Sequence, residues 1–340
     1  MSRDALSTLF YPFLSGQLAS PGLTERFLFI GAEPGFVLPA DFLASLELVQ
    51  GFRPYFLQLL AAGYDARPLS EGRGLDGALV LCGRHRGQNG NWIAEAIVRV
   101  RAGGLIVVAG STGDGMSSLR KRLEAVLPLE GHLPKYHGLV LWLRRPPDDA
   151  AASAADALSA RPATVDNRFM TAPGMFSHER IDPGSRLLAE SLPVSCRGAA
   201  ADFGAGWGYL AAALVERSAG LDRVDLYEAD YASLEAARKN LAGIPDVPEL
   251  GLFWLDLTVE QPGRKYELIV MNPPFHQARA AEPGLGKAMI LAAASALRPG
   301  GRLMMVFNRG LPYDRTLRAA FSEVTEIAAD AAFLVVAARR

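Results

Sequence analysis

The chain has 340 residues, half of them hydrophobic, enough for two cores of ordinary domain size. Its formal net charge of −1 carries no whole-chain basic signature of the kind that marks nucleic-acid binding. Its two cysteines, Cys82 and Cys196, lie far apart without CxxC or histidine spacing, which argues against a disulfide framework or a zinc site.

The opening "MSRDALSTLFYPFLSG" has too short an apolar run and too many polar breaks for a signal peptide, and no apolar run reaches membrane-spanning length; a cytoplasmic location is expected. Residues 1–145 carry 15 Lys+Arg against 12 Asp+Glu, and the remainder 20 against 24, so the first half is slightly basic. Within it, Arg84 with Arg86, and Arg120 with Lys121 and Arg122, are clusters that can touch phosphates, although a solvated face is the plainer account.

In chain order, "FLFIGAEPG" at 27–35 predicts a strand running into a glycine turn, followed by apolar strands in "GALVLCGRH" at 77–85 and "RVRAGGLIVVAG" at 99–110. The stretch 146–168, rich in Pro, Ala, Asp and Ser, predicts a linker, part of which coils into a helix. Beyond it the pattern returns. "ADFGAGWGYL" at 201–210 echoes the first glycine turn, "YELIVMNPPF" at 266–275 matches the second strand, and "ALRPGGRLMMVF" at 296–307 matches the third. Strands alternating with helical stretches in both halves predict duplicated α/β domains with mostly parallel sheets. Ligands of such sheets bind beyond the carboxyl ends of the strands. The first half has "CGRH" where the second has "NPPF", and its glycine loop is reduced to "GAEPG". One working copy and one that has lost its chemistry are expected.

The chemistry gathers in the second half. Gly204, Gly206 and Gly208 let the backbone turn tightly and approach a ligand at the amide end of the next helix; a plain βα turn is the alternative. Glu228 ends the next strand, where a nucleotide-binding half-sheet places an acid for ribose hydroxyls. Asp256 ends the strand after that. It either receives an adenine amino group or caps a turn. Then "IVMNPPFHQ" at 269–277 stops a buried strand with two prolines, which cannot donate to the sheet and hold the next loop in one shape. The Asn272 side chain and the Pro273 carbonyl supply two acceptors, and Phe275 a flat face: a socket for a planar group bearing an NH2. His276 beside it is expected to be a neighbour rather than a proton acceptor.

These motifs, in this order, resemble the Class I S-adenosylmethionine methyltransferases, in the branch marked by Asn-Pro-Pro-[Phe/Tyr] that methylates exocyclic or amide nitrogens. "APGMFSHERIDPGSRLLAESLP" at 172–193, "MNPPFHQ" and "NRGLPYDRTL" at 308–317 narrow the resemblance to the ribosomal RNA small subunit methyltransferase C family. That resemblance implies two tandem Rossmann-like Class I methyltransferase domains: a degenerate one over 1–145, a linker over 146–168 and a catalytic one over 169–340. It implies S-adenosylmethionine as cofactor, the exocyclic N2 of a guanine in 16S ribosomal RNA as acceptor, and ribosomal RNA or the small subunit as partner. A monomer without metal or membrane attachment is expected.

Carried over by position, the cofactor loop falls on Asp202, Gly204, Ala205, Gly206 and Gly208, the ribose acid on Glu228, the adenine acid on Asp256, and the catalytic loop on Asn272, Pro273, Pro274 and Phe275. Phe176 and Ser177 fall in a segment that closes over the cofactor. The family often has Asp at the position of Glu228 and commonly Asn near Asp256. Other acceptors served by the same motif are guanine N2 of 23S ribosomal RNA, adenine N6 of DNA and glutamine N5 of protein. A catalytically silent RNA-binding assembly factor and a nucleotide-binding oxidoreductase are the remaining alternatives; the latter gives no reason for Asn-Pro-Pro-Phe.

Overall fold

A computed structural model describes residues 3–340 except 246, 275, 278, 279 and 282, and describes no side chain for residues 3, 276, 277, 280 and 281. The chain divides into two compact units, Met1–Arg161 with Ala172–Gly174, and Pro162–Thr171 with Met175–Arg340.

The first unit runs α1 (Arg3–Leu14), β1 (Arg26–Ile30), β2 (Ser45–Val49), α2 (Arg53–Ala61), β3 (Ala66–Arg67), β4 (Leu75–Leu81), α3 (Arg86–Arg99), β5 (Val100–Ser111), α4 (Met116–Glu124), β6 (Gly131–Lys135), β7 (Gly138–Arg144) and α5 (Asp148–Leu158). The second runs β8 (Ala163–Val165), β9 (Phe169–Thr171), α6 (Pro183–Glu190), β10 (Arg197–Phe203), α7 (Tyr209–Arg217), β11 (Gly220–Glu228), α8 (Tyr231–Leu241), β12 (Glu249–Trp254), β13 (Tyr266–Met271), β14 (His276–Gln277), β15 (Ala280–Ala281), α9 (Pro283–Ala296), β16 (Leu297–Asn308), α10 (Asp314–Ala320), β17 (Glu323–Ala329) and β18 (Phe333–Arg339).

The two main sheets have one topology. Their strand orders are β3-β2-β1-β4-β5-β7-β6 and β12-β11-β10-β13-β16-β18-β17. In each, the first five strands pair in parallel, the sixth (β7 or β18) runs antiparallel to both its neighbours, and the last (β6 or β17) points the same way as the first five. The expected duplication is therefore present in the fold. Parallel strands covered on both faces need unbroken apolar runs, and Ile106, Val107 and Val108 are each fully buried. Each such side chain contributes about 1.5–3 kcal/mol through burial. Packing is tight at Gly77 in β4, where a Cβ would stand 2.3 Å from the Phe27 ring and 2.8 Å from the Leu105 carbonyl oxygen. Gly77→Ala is expected to destabilise the chain by about 1–3 kcal/mol, read as a lower urea midpoint.

The stretch expected as a linker is partly core. In α5, Ala151, Ala154, Ala155 and Leu158 are buried in one cluster with Ile93 and Ile97 of α3. Alanine spaced at helical intervals makes an apolar stripe that composition alone conceals. Arg122, one of the clustered cations of the first half, donates to the carbonyls of Ala157 and Leu158 at 3.1 and 2.7 Å, holding the end of α5.

Register shows how the first unit differs at its glycine turn. Gly31 and Ala32 donate to the Val49 carbonyl at 3.0 and 3.3 Å, and Gly204 and Ala205 donate to the Tyr227 carbonyl at 2.8 and 3.1 Å, so the turns superpose by position. Phe29 then stands where the second unit has Asp202, Glu33 where it has Gly206, and Gln50 where it has Glu228. Trp92 lies against the turn, 2.9 Å from where a Gly31 Cβ would be. The match of "CGRH" to "NPPF" shifts by one residue, because Val80 pairs with Ile30 as Met271 pairs with Phe203, which puts Leu81 at the place of Asn272. Cys82 still donates to the Ala109 carbonyl at 2.7 Å, a bond that Pro273 has no hydrogen to make, so the first sheet runs on where the second stops.

Candidate active site

The second unit's glycine turn joins β10 to α7. Gly204, Gly206 and Gly208 all have positive φ, at 76°, 54° and 92°. At Gly206 a Cβ would meet nothing within 4 Å, so the backbone there faces open space that a ligand can enter. At Gly208 the constraint is packing: a Cβ would stand 3.1 Å from that of Ala237 in α8.

Two carboxylates lie under this turn. Asp202 is fully buried on β10, and neither oxygen has a hydrogen-bond partner among the described residues. Its desolvation pushes the carboxyl up to about 8; the nearby Ala211 amide, outside hydrogen-bonding geometry, opposes this, and the Glu228 charge adds to it. Glu228, at the end of β11, accepts from the Gly206 amide at 2.7 Å and the Asp230 amide at 2.9 Å. Burial pushes it up to about 7 against those bonds, with the Asp230 charge adding to the rise. Among the described residues Asp202 has no donor, whereas Glu228 has backbone amides.

Asn272 follows β13, partly buried, with Pro273 buried and Pro274 exposed behind it. Its side-chain amide donates to Asp182 Oδ2 at 3.0 Å and to Ser185 Oγ at 2.8 Å. One pocket is lined by Asn272, Gly204, Gly206, Phe176, Ser177 and Asp182, so the glycine turn, the loop after β13 and the segment before α6 meet in it. Phe176 is held there by its carbonyl, which accepts from Trp207 Nε1 at 2.8 Å, and Ser177 sits at φ 49° with its hydroxyl on the Arg180 carbonyl. Asn240 of α8 ties the two sides, bonding the Met170 backbone through both its amide atoms and the Trp207 carbonyl at 2.9 Å. Larger clefts of about 410 and 460 Å³ open beside Arg67 and Arg302, at the amino edges of the two sheets, opposite the edge where such folds bind ligands.

Asp256 is buried, and its Oδ1 accepts from the Thr258 amide at 2.9 Å and hydroxyl at 2.6 Å, the turn-capping geometry that was its alternative account. It does not line the pocket described above. Phe275 lies outside the described residues, as do the side-chain contacts of His276. Sequence reasoning did not single out Asp182, Ser185, Trp207 or Asn240. Among the described residues no cluster of three metal-ligating side chains occurs and no helix is long and apolar enough to cross a membrane; both cysteines are buried and free.

Comparison with known proteins places this geometry. Residues 166–337 match the family model for the methyltransferase small domain. The ribosomal RNA small subunit methyltransferase C of Chromohalobacter salexigens is 38% identical over 48% of this chain and 48% of its own length. That of Klebsiella pneumoniae is 32% identical over 64% of this chain and 61% of its own length. The chain thus spans about half to three fifths of these curated relatives. A solved T. thermophilus 16S rRNA N2 G1207 methyltransferase, in complex with AdoMet and guanosine, shares the fold with a TM-score of 0.77 over 99% of this chain and 91% of that one, at 23% identity. The resemblance read from the motifs is borne out by these matches. The chain belongs to the methyltransferase small domain family.

Proposed function

We propose that the second unit methylates the exocyclic N2 of a guanine in 16S ribosomal RNA, with S-adenosylmethionine as methyl donor. The observation that carries this reading is that Asn272 opens into the same pocket as Gly204 and Gly206, so acceptors for an amine and a cradle for a cofactor share one cavity. The names of the relatives support guanine in small-subunit RNA over adenine or a protein amide.

The residues present suit that donor. Glu228, pushed toward neutrality by burial, is stabilised in its charged form by hydroxyl donors such as those of ribose. Asp202, without a hydrogen-bond partner among the described residues, gains from a nearby positive charge or a donor. The open face at Gly206 admits a ligand against the backbone. S-adenosylmethionine supplies an electrophilic methyl group on a cationic sulfur.

The chain's task is to prepare the nitrogen. A guanine amino group shares its lone pair with the ring and is a poor nucleophile. Asn272 Oδ1 and the Pro273 carbonyl accept its two N–H bonds, favouring tetrahedral nitrogen with the lone pair aimed at the donor. Orientation of this kind can save about 7–11 kcal/mol of barrier. The nitrogen lone pair would bond the methyl carbon as the electrons of the breaking carbon–sulfur bond go to sulfur. The nitrogen, made cationic and strongly acidic, would give one N–H proton to water, so no strong general base is needed.

The first unit acts as a grip for RNA or as support for folding, and the protein works as a cytoplasmic monomer. With Glu33 at the position of Gly206 and Phe29 at that of Asp202, the first unit's glycine turn carries an acid side chain and an aromatic ring where the second has an open backbone and a buried carboxylate. Calorimetric titration is expected to find one S-adenosylmethionine per full chain; two would contradict the assignment of a single working copy. The function itself is tested by offering labelled S-adenosylmethionine with small subunits, large subunits, tRNA and release factor. Label is expected in small-subunit RNA as N2-methylguanosine. Label only in DNA, protein or another RNA would move the acceptor elsewhere.

A further inference from the structure

We infer that Asp182 and Ser185 are positioning residues that lock the Asn272 side chain with its oxygen facing the amine to be methylated. This rests on the reading of the site as an amine methyltransferase. A primary amide has two N–H donors on one side and an acceptor oxygen on the other. Both donors of Asn272 are taken, by Asp182 Oδ2 at 3.0 Å and Ser185 Oγ at 2.8 Å. A carboxylate can only accept, so turning the amide over would set oxygen against oxygen; chemistry therefore decides which atom is nitrogen. Among the described residues Oδ1 accepts no hydrogen bond, and Asn272 lines the pocket, so this oxygen is the side chain's acceptor available to a ligand there.

The support is itself braced. Asp182 caps α6, its Oδ2 also accepting from the Ser185 amide at 2.8 Å. Ser185 is buried, so water competes weakly for its bond to Asn272. At Gly184 a Cβ would stand 2.8 Å from the Phe333 ring and 3.1 Å from Asp182 Oδ2, so the Asp-Pro-Gly-Ser turn has little room to move. Donating to a carboxylate also polarises the amide and makes Oδ1 a better acceptor. Without these partners the amide is free to present N–H to the incoming amine, which repels it.

Two sets of variants test this in the full chain, with thermal unfolding as the folding control. Ser185→Ala leaves the helix cap intact because Asp182 bonds the backbone amide of residue 185. It is expected to lower kcat by about ten-fold or more with KM for S-adenosylmethionine unchanged. Asn272→Asp sets a second carboxylate against Asp182 and is expected to lower kcat further. Adding Asp182→Asn, which still caps the helix, removes that repulsion and is expected to recover at least about ten-fold of the loss. A merely structural role for Asp182 gives additive losses instead. An active wild-type chain with unchanged kcat in Ser185→Ala, or with no recovery in the double variant, overturns the inference. A wild-type chain that methylates no acceptor overturns the reading beneath it, and the inference with it.

Discussion

Replacing Asn272 with alanine is expected to reduce methyl transfer by about 10²–10³-fold while S-adenosylmethionine binding stays within about two-fold of wild type. The asymmetry follows from where the side chain sits. Its amide nitrogen is committed to Asp182 and Ser185, at 3.0 and 2.8 Å, and it makes no bond to the carboxylates under the glycine turn. On the proposed reaction, removing it takes away one of two acceptors for the reacting amine and leaves Asp202, Gly206 and Glu228 in place. The Pro273 carbonyl alone fixes neither the tilt of the nitrogen nor the aim of its lone pair. Single-turnover rates with small subunits, beside calorimetric binding, separate the two quantities. Unchanged turnover removes Asn272 from the reaction.

The second large effect is at Glu228. Substitution by alanine is expected to weaken S-adenosylmethionine binding by about 10- to 100-fold, the scale of hydrogen bonds to a charged group. It also frees the Gly206 amide from its 2.7 Å bond, so part of the loss comes from a loosened turn. The pH dependence is more diagnostic. Burial raises Glu228 from 4.5 to about 7 and Asp202 from 3.8 to about 8, so the unliganded fold holds protons that the unfolded chain gives up. The stability these groups contribute is complete below about pH 4 and is lost as pH rises through 7 to 8. Ligand hydroxyls and positive charge favour the ionised acids. Binding is therefore expected to release protons near pH 7 and to tighten as pH rises from 6 to 8. Calorimetry in two buffers of different ionisation enthalpy reads that proton flow directly, and proton uptake on binding would contradict it.

Much of this arrangement is legible in the chain itself, for physical reasons that differ by residue. Pro273 and Pro274 announce the end of β13 because they have no N–H to give the sheet, and the structure stops the strand at Met271. The glycine turn is legible because positive φ restricts the residue types that can occupy it. The duplication is legible because both halves must build the same buried strands, and the matching sheet orders confirm it.

What escaped reading depends on distance along the chain. Asp182 and Ser185 reach Asn272 across 90 and 87 residues, and Asn240 reaches Met170 across 70. Asp-Pro-Gly-Ser ahead of an apolar run is a helix start by its pattern, which predicts the cap and says nothing of the second partner of the same oxygen. The burial of α5 escaped because its stripe is alanine, a residue equally at home in a linker. Composition likewise sets Arg122 among free cations, and only the fold shows that it holds two carbonyls.

The most direct test is a crystal structure of the chain with S-adenosylmethionine and guanosine bound. The expected result places the exocyclic N2 within hydrogen-bonding distance of both Asn272 Oδ1 and the Pro273 carbonyl oxygen, with the donor's methyl on its open face and the ribose on Glu228. An Asn272 amide turned so that its NH2 faces the nucleoside, or a donor bound away from Gly206, would contradict the account.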